Sequence, residues 1–191
     1  MIFASLVIVP CLPLMALISF LVALTSRGPV LFRQTRMGEN GRLFNLLKFR
    51  TMFHNRKDSG PGVTRRGDPR ITPVGKFLRG CKLDELPQLF NVLRGDMSLI
   101  GPRPDLPEFL QALAPEYRGL LALKPGVTGW ATLQFRNEEE LLATVPKEQL
   151  VSYYTETVLP LKAQLDLTYA RRASLLGDLG ILWRTLRALA Q

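Results

Sequence analysis

The sequence predicts an α+β protein that is mostly helical, with a small β-hairpin and an N-terminal helix embedded in a membrane. Three observations support this fold class. Residues 1–24 contain no charged side chain. Two short β-like runs, 30–34 and 42–49, flank a turn-rich segment. Beyond them, apolar residues recur mainly at the three- and four-residue spacing of helices. We therefore divide the chain into a membrane-embedded helix, 1–26, and a cytosolic domain, 27–191.

The uncharged N-terminal segment is long enough for a membrane. At about 1.5 Å per residue its helix would reach roughly 36 Å, and a hydrocarbon core is about 30 Å thick. Basic residues beginning at Arg27 predict that its C-terminal side faces the cytoplasm. Pro10 and Pro13 each remove a backbone donor, so we expect a bend. Two paths stay open: a kinked helix that crosses the bilayer, and a re-entrant helix that returns to the same leaflet.

The charge distribution points to an anionic partner. The formal net charge is +9, and residues 27–82 hold 14 Lys/Arg against 3 Asp/Glu, so the excess lies in one part of the chain. Such an excess suits nucleic acid, anionic lipid or a phosphorylated substrate. One histidine, His54, and two cysteines, Cys11 and Cys81, give no disulfide framework and no multi-histidine metal site. Any catalysis must therefore use carboxylates.

The segments between the N-terminal helix and the centre of the chain follow in order. In the second strand of the predicted hairpin, Lys48 and Arg50 share one face because side chains alternate along a strand. Residues 54–71 show no periodicity, which predicts a long mobile loop. Thr72 and Pro73 then predict the start of a short helix that carries cations between its apolar residues.

The central stretch, 79–104, contains the most informative pattern. The adjacent carboxylates Asp84 and Glu85 are expected to open an amphipathic helix, with Asp84 as an ionised N-cap. A Gly-Pro-Arg-Pro turn follows this helix, and prolines on both sides of Arg103 fix its backbone. The apolar face of the helix is formed by Leu86, Leu89, Phe90 and Leu93.

The C-terminal half predicts further helices. Asp105 and Glu108 read as a capping box that opens a helix over 106–113. We expect an extended segment over 127–135 and an acidic helix start at 137–140. The tail, 158–190, predicts two helices hinged near Gly177 and Asp178. The leucines of its last helix form a stripe that suits packing into the core, with a membrane surface as the alternative: Leu179, Leu182, Leu186 and Leu189.

These residues favour phosphoryl chemistry on a charged donor. Cations would hold phosphate oxygens, and a carboxylate would act as nucleophile or Mg²⁺ ligand. A membrane-tethered module that binds nucleic acid or anionic lipid is the alternative from another class. It explains the charge but neither the acidic pair nor the Gly-Pro-Arg-Pro turn, and aromatic residues are not interleaved with the basic run.

Three long blocks together resemble the bacterial sugar transferases known as monotopic phosphoglycosyl transferases. They are GPVLFRQTRMGENGRLFNLLKFRTM, PRITPVGKFLRGCKLDELPQLFNVLRGDMSLIGPRP and KPGVTGWATLQFRN. The resemblance implies transfer of a sugar 1-phosphate from a UDP-sugar to undecaprenyl phosphate, with release of UMP. This step would initiate a surface glycan: exopolysaccharide, capsule, O-antigen or glycoprotein glycan. The implied location is the bacterial cytoplasmic (inner) membrane, with the catalytic domain on the cytoplasmic face.

The resemblance also implies partners and residue roles. The partners are the UDP-sugar, undecaprenyl phosphate and membrane lipids, without nucleic acid; a homodimer stays open, and so does the sugar. Asp84 would be the nucleophile that forms a covalent phosphosugar intermediate. Glu85 would act beside it, and both would serve as ligands of Mg²⁺. The cations that match phosphate- or nucleotide-binding positions are Arg79, Arg103, Arg136, Lys48 and Arg50. The supporting residues are Asp178, Pro102 and Pro104.

Overall fold

A computed structural model describes residues 2–53 and 62–189. His54 and the first part of the predicted 54–71 loop therefore lie outside the described residues. The chain is mostly helical with two small sheets, as the sequence predicts.

Helix α1 runs from Ile2 to Thr25 and continues through Pro10 and Pro13. One of its faces is buried: Ile8, Met15, Ile18 and Val22 pack against residues such as Phe49, Leu78 and Leu89 of the body. Its other faces expose large apolar side chains, including Val9, Leu17, Phe20 and Leu24. Among the described residues, α1 is the one helix long and apolar enough to cross a membrane by length and composition. The predicted apolar helix is confirmed, and its path through a membrane stays a prediction.

The predicted hairpin is confirmed, with a longer first strand. Strands β1 (Leu31–Met37) and β2 (Leu43–Phe49) pair antiparallel, with Leu31 opposite Phe49 and Met37 opposite Leu43. A short 3₁₀ turn, Glu39–Gly41, joins them. Asn40 adopts the left-handed conformation there, at a φ of 56°, which asparagine tolerates better than most residues.

The central stretch folds differently from the predicted single helix. Helix α2 (Pro73–Gly80) begins at Thr72, whose hydroxyl accepts a hydrogen bond from Gly75 N at 2.9 Å. Lys82 then turns the chain in the left-handed region, at a φ of 54°. Asp84 and Glu85 consequently fall in a separate 3₁₀ turn, Leu83–Glu85. Helix α3 (Gln88–Leu93) starts later, with Pro87 at its N-cap. The predicted role of Asp84 as an N-cap is therefore wrong.

A second sheet, absent from the sequence prediction, stands beside this turn. Strands β3 (Ser98–Ile100) and β4 (Gly126–Thr128) pair in parallel. Gly126 permits their close approach, because a Cβ there would lie 2.1 Å from Gly101 N. Helix α5 (Trp130–Gln134) follows directly, so the extended segment predicted over 127–135 ends at Gly129.

Short helices then form a second hydrophobic core, in addition to the cluster that packs against α1. They are α4 (Pro107–Gln111), a 3₁₀ segment (Pro115–Ala122), α6 (Glu138–Ala143) and α7 (Leu150–Tyr153). A π-helical turn, Tyr154–Val158, joins α7 to α8 (Leu159–Ala170). The acidic helix start is confirmed in α6. The capping box is wrong, because the Asp105 side chain turns inward to Tyr154 and leaves Leu106 at the N-cap of α4.

Helix α9 (Leu175–Leu189) follows a break over 171–174 rather than a hinge at Gly177 and Asp178. Ser174 explains this shift, because its hydroxyl accepts from Gly177 N at 3.2 Å and its carbonyl from Asp178 N at 2.8 Å. The expected packing of the leucine stripe into the core is wrong: Leu179 and Leu186 are 57% and 61% exposed. Among the side chains of this helix that the structure describes, Ile181 is the buried one.

Candidate active site

Glu85 lies at the centre of an ion cluster built from three parts of the fold. Lys48 on β2 donates to Glu85 Oε1 at 3.0 Å. Arg103, in the turn after β3, donates to Oε1 at 2.6 Å and to Oε2 at 3.2 Å. Both carboxylate oxygens of Glu85 are thus held by cations, and the Arg103 contact is the two-point geometry that is strongest between guanidinium and carboxylate.

The charges in this cluster are stabilised mutually. Burial alone would raise the pKa of Glu85, but the charges of Arg103 and Lys48 outweigh it and hold this pKa well below its ordinary value. The Glu85 carboxylate in turn raises the pKa of Arg103. Burial lowers the pKa of Lys48, against the opposing effect of Glu85. Glu85 therefore stays ionised throughout the physiological pH range.

Asp84, the neighbouring carboxylate, has the opposite environment. It is 5% exposed, and its Oδ1 atom is buried without a hydrogen-bond partner among the described residues. Burial raises the pKa of Asp84, and the positive charge of Lys48 opposes this rise. Two adjacent carboxylates whose pKa values move in opposite directions are typical of catalytic pairs. A buried acceptor without a partner is also well placed to attack or coordinate a ligand.

Arg79 on α2 also acts on this pair. Its positive charge lowers the pKa of Asp84. Its guanidinium is held by a glutamate that sequence reasoning missed: Arg79 Nε donates to Glu139 Oε1 at 3.2 Å. The predicted cations Arg79, Lys48 and Arg103 are therefore brought around the carboxylate pair.

Arg50 is not brought into the cluster, although it is two residues from Lys48. Its guanidinium donates to Val22 O at 3.2 Å, to Ser26 O at 2.6 Å and to the carbonyl of Pro29. These carbonyls lie at the C-terminal end of α1 and in the turn after it, where helical carbonyls lack intrahelical partners. Arg50 thus fastens α1 to the body, and the phosphate contact predicted for it stays a prediction.

The remaining predicted residues fall into two groups. Pro102 and Pro104 are buried on either side of Arg103, and the Pro102 carbonyl accepts from Gly126 N at 2.9 Å. They fix the turn that carries Arg103. Asp178 and Arg136 form the second group, which has no described contact with Glu85. Asp178 accepts a 2.6 Å hydrogen bond from the Tyr169 hydroxyl, and Arg136 is exposed between α5 and α6.

A second polar network, which the sequence did not predict, lies beside Arg103. The Tyr154 hydroxyl donates to Asp105 Oδ1 at 2.9 Å and accepts from Lys162 Nζ at 3.3 Å. Lys162 also donates to Glu138 Oε2 at 2.8 Å. The position of Asp105 directly after the Gly-Pro-Arg-Pro turn was the one local signal for this network. Tyr154 and Lys162 reach it only through the packing of α7 and α8.

The side chains near Asp84 limit how a cation could be coordinated there. Within the described ranges, no three or more His, Cys, Asp or Glu side chains are arranged so that they could hold a metal ion by themselves. Mg²⁺ commonly uses one or two carboxylates together with substrate phosphates. The unpartnered Oδ1 of Asp84 fits such a site. Glu85 does not fit as a ligand while both of its oxygens are bonded to cations.

Comparisons with known proteins identify the family of this chain. The family description "Bacterial sugar transferase" matches residues 1–191. The chain is 40% identical over 182 residues to the undecaprenyl-phosphate glucose phosphotransferase of Komagataeibacter xylinus, covering 92% of this chain and 32% of that protein. It is 42% identical over 184 residues to the UDP-glucose:undecaprenyl-phosphate glucose-1-phosphate transferase of Caulobacter vibrioides, covering 93% and 62%.

A third relative is closer in length to this chain. The exopolysaccharide production protein ExoY of Sinorhizobium fredii is 35% identical over 200 residues, covering 97% of this chain and 80% of that protein. The chain spans less than two thirds of the length of the other two relatives.

Proposed function

Because this chain belongs to the bacterial sugar transferase family, we propose that it is a phosphoglycosyl transferase. It moves a sugar 1-phosphate from a UDP-sugar to undecaprenyl phosphate and releases UMP. One observation carries the proposal: the buried Asp84 Oδ1 has no partner among the described residues, next to a Glu85 whose oxygens are both held by cations. The binding-module alternative gains no support from the relatives, whose names describe transferases and a polysaccharide production protein.

The reaction proceeds in two displacements at one phosphorus. In the first, an oxygen of the Asp84 carboxylate attacks the β-phosphorus of the UDP-sugar. The bond from this phosphorus to the bridging oxygen breaks, and UMP leaves with that oxygen and its electron pair. In the second, an oxygen of undecaprenyl phosphate attacks the same phosphorus, and the bond to Asp84 breaks. The carboxylate is regenerated, which predicts ping-pong kinetics.

The surrounding cations stabilise the charge of both displacements. Arg103 and Lys48 are held at fixed positions by Glu85, so they can contact phosphate oxygens without reorganising. Arg79 exchanges Glu139 for a phosphate when the donor enters, and the exposed Arg136 contacts the donor or acceptor from the rim. Glu85 holds Lys48 and Arg103 in position through both displacements.

Mg²⁺ would be held by Asp84 together with the diphosphate oxygens of the donor. When bound, it neutralises charge that develops on the leaving phosphate. Glu85 contributes through Lys48 and Arg103 in this arrangement.

We also propose that the protein is monotopic and lies on the cytoplasmic face of the inner membrane. The body packs along α1 from Ile8 to Val22, a length of roughly 21 Å at 1.5 Å per residue. A helix that crossed the bilayer alone would not carry the body along it. The exposed apolar residues of α9, among them Leu175, Leu176 and Trp183, would lie at the membrane surface. Because the sugar phosphate is attached to a lipid phosphate, this reaction would initiate a surface glycan.

The test is the variant Asp84→Asn, assayed with a panel of radiolabelled UDP-sugars, undecaprenyl phosphate and Mg²⁺. We expect UMP release to fall by at least about 10³-fold, because removal of a nucleophile leaves only binding and charge stabilisation. The labelled phosphosugar-enzyme that the wild type accumulates without acceptor should be absent. Transfer at the wild-type rate by this variant would refute Asp84 as the nucleophile.

Two controls keep the result specific. Glu108→Gln, at an exposed position of α4, should retain full transfer. The Asp84→Asn protein should unfold at or above the wild-type temperature, because burial of the Asp84 charge is unfavourable and the amide removes it. Lost activity in a protein of unchanged stability then reports chemistry rather than unfolding.

A further inference from the structure

A groove lies on the hairpin, away from the carboxylate pair. Its volume is about 290 Å³, near the lower limit for small-ligand sites. It is lined by Leu31, Arg33, Asn45, Leu47, Phe90 and Arg94.

The register of the hairpin and one clamp build this groove. Arg33 pairs with Leu47 across the two strands, so residues 31, 33, 45 and 47 share one face of the sheet. Phe90 and Arg94 are four residues apart at the end of α3 and so lie on one side of it. The Asn91 side chain fixes α3 to the strand edge: Leu47 N donates to its Oδ1 at 3.0 Å, and its Nδ2 donates to Asn45 O at 2.8 Å.

The groove is separate from the proposed reaction centre. Side chains alternate along β2, so Lys48 points to the opposite face from Leu47. Lys48 bonds to Glu85 on that opposite face. A ligand in the groove therefore lies across the strand from the transferred phosphate.

Two of the lining residues are cationic. Arg33 and Arg94 are both exposed, and none of the described residues that line the groove is a carboxylate. Within the described ranges, neither arginine forms a salt bridge to a carboxylate. Two arginines without acidic partners are well suited to hold a phosphate.

Other lining residues are apolar and adjoin helix α1. Leu31 and Phe90 pack against the cluster that contains the buried face of α1. A ligand that contacts both the arginines and these apolar residues must carry a negative head and an apolar tail.

We propose that this groove binds the phosphate headgroup of an anionic phospholipid of the surrounding membrane. The phosphate lies between Arg33 and Arg94, and the first part of an acyl chain lies along Leu31 and Phe90. The lipid orients the hairpin, and with it Lys48, against the membrane surface. This inference rests on the proposed membrane position but not on the transfer chemistry.

The test measures lipid binding to the full chain in neutral detergent by native mass spectrometry. Wild-type protein is titrated with short-chain phosphatidylglycerol, with phosphatidylcholine of the same chain length, and with inorganic phosphate. We expect phosphatidylglycerol to bind at least ten times more tightly than phosphatidylcholine. The double variant Arg33→Gln/Arg94→Gln should lose this preference. The matched double variant Arg42→Gln/Arg118→Gln changes the charge equally at exposed positions outside the groove and should keep it.

Three outcomes would overturn the proposal: wild-type phosphatidylglycerol affinity in the groove variant, equal binding of the two lipids, or displacement of phosphatidylglycerol by inorganic phosphate at the same concentration. The last outcome would identify a site for free phosphate. Arg33→Lys/Arg94→Lys keeps the charge and should retain binding, which separates charge from folding. The same titration on Asp84→Asn should give the wild-type result, so a failed transfer mechanism would leave this inference intact.

Discussion

Two buried polar clusters adjoin Arg103, and they differ in how completely they are partnered. Around Glu85, cations hold both carboxylate oxygens, but Asp84 Oδ1 next to them has no partner among the described residues. Around Tyr154, the hydroxyl both donates to Asp105 and accepts from Lys162, which is itself paired with Glu138. Asp105 and Glu138 also contribute to the raised pKa of Arg103, which shows that the two clusters are neighbours.

We interpret this difference as one between a structural network and a site prepared for chemistry. A buried hydroxyl that both donates and accepts favours one conformation, whereas a buried acceptor without a partner costs free energy that a ligand can recover. We infer that the Tyr154 network holds the turn of Arg103, and that the Glu85 cluster uses the resulting position. Substitutions in the two clusters should therefore affect different properties.

The largest effect is expected from Arg103→Ala, which removes a charge from the Glu85 cluster. We expect kcat to fall about 10²- to 10³-fold, the cost of one pre-positioned charge stabiliser. The pKa of Glu85 should rise because its largest stabilising charge is lost, so the acidic limb of the pH–rate profile should move to higher pH.

Steady-state UMP release between pH 5 and 8 measures both effects. Arg103→Lys keeps the charge without the two-point contact and should give an intermediate rate. An Arg103→Ala rate within tenfold of wild type would remove the functional distinction between the clusters.

The second effect concerns Asp166 on α8, near Lys162. Its carboxylate accepts from Ala131 N at 2.9 Å, and burial raises its pKa from 3.8 to about 6. The folded state therefore holds this proton more tightly than the unfolded state, and stability is lost as pH rises from about 4 through 6. At pH 8 this amounts to about 3 kcal/mol of unfolding free energy, at 1.36 kcal/mol per pKa unit.

Asp166→Asn removes this titration and keeps an oxygen for Ala131. Relative to wild type, the variant should gain stability as pH rises from 4 through 6 and then keep a constant advantage up to pH 8, with transfer activity unchanged. Urea unfolding in detergent across this range measures the difference. A pH-independent difference would show that Asp166 does not titrate in this way.

The smallest effect is expected from Tyr154→Phe, which removes a hydroxyl that both donates and accepts a hydrogen bond. Loss of the hydroxyl removes one hydrogen bond and leaves Asp105 short of a donor, at a cost of about 1 to 2 kcal/mol. The ring still packs against Phe109, at 5.4 Å between centroids. We expect a lower unfolding temperature and a kcat within about threefold of wild type. A 100-fold loss of kcat at unchanged stability would assign Tyr154 to the reaction instead.

The comparison also shows which parts the sequence could predict. The apolar helix, the hairpin and the acidic start of α6 follow from local composition and periodicity, and all three are confirmed. The nearness of Lys48, Arg79 and Arg103 to the acidic pair was expected from the resemblance. Arg50 belongs to the same motif as Lys48, but its guanidinium binds carbonyls at the end of α1. The alternation of side chains along a strand does not indicate which residues lie next to the end of that strand.

The sequence by itself determined the apolar helix, the hairpin and the cation-flanked acidic pair, since each depends on residues close together in the chain. Only the tertiary structure decided that Asp84 Oδ1 is buried without a partner among the described residues, while Glu85 is held by Lys48 and Arg103, which lie 37 and 18 residues away. It likewise decided that Leu179 and Leu186 face outward, because α9 is attached through Ile181 and a 2.8 Å contact between Thr185 and Thr128. Burial and ion pairing depend on which distant segments pack together, and local sequence does not encode that choice.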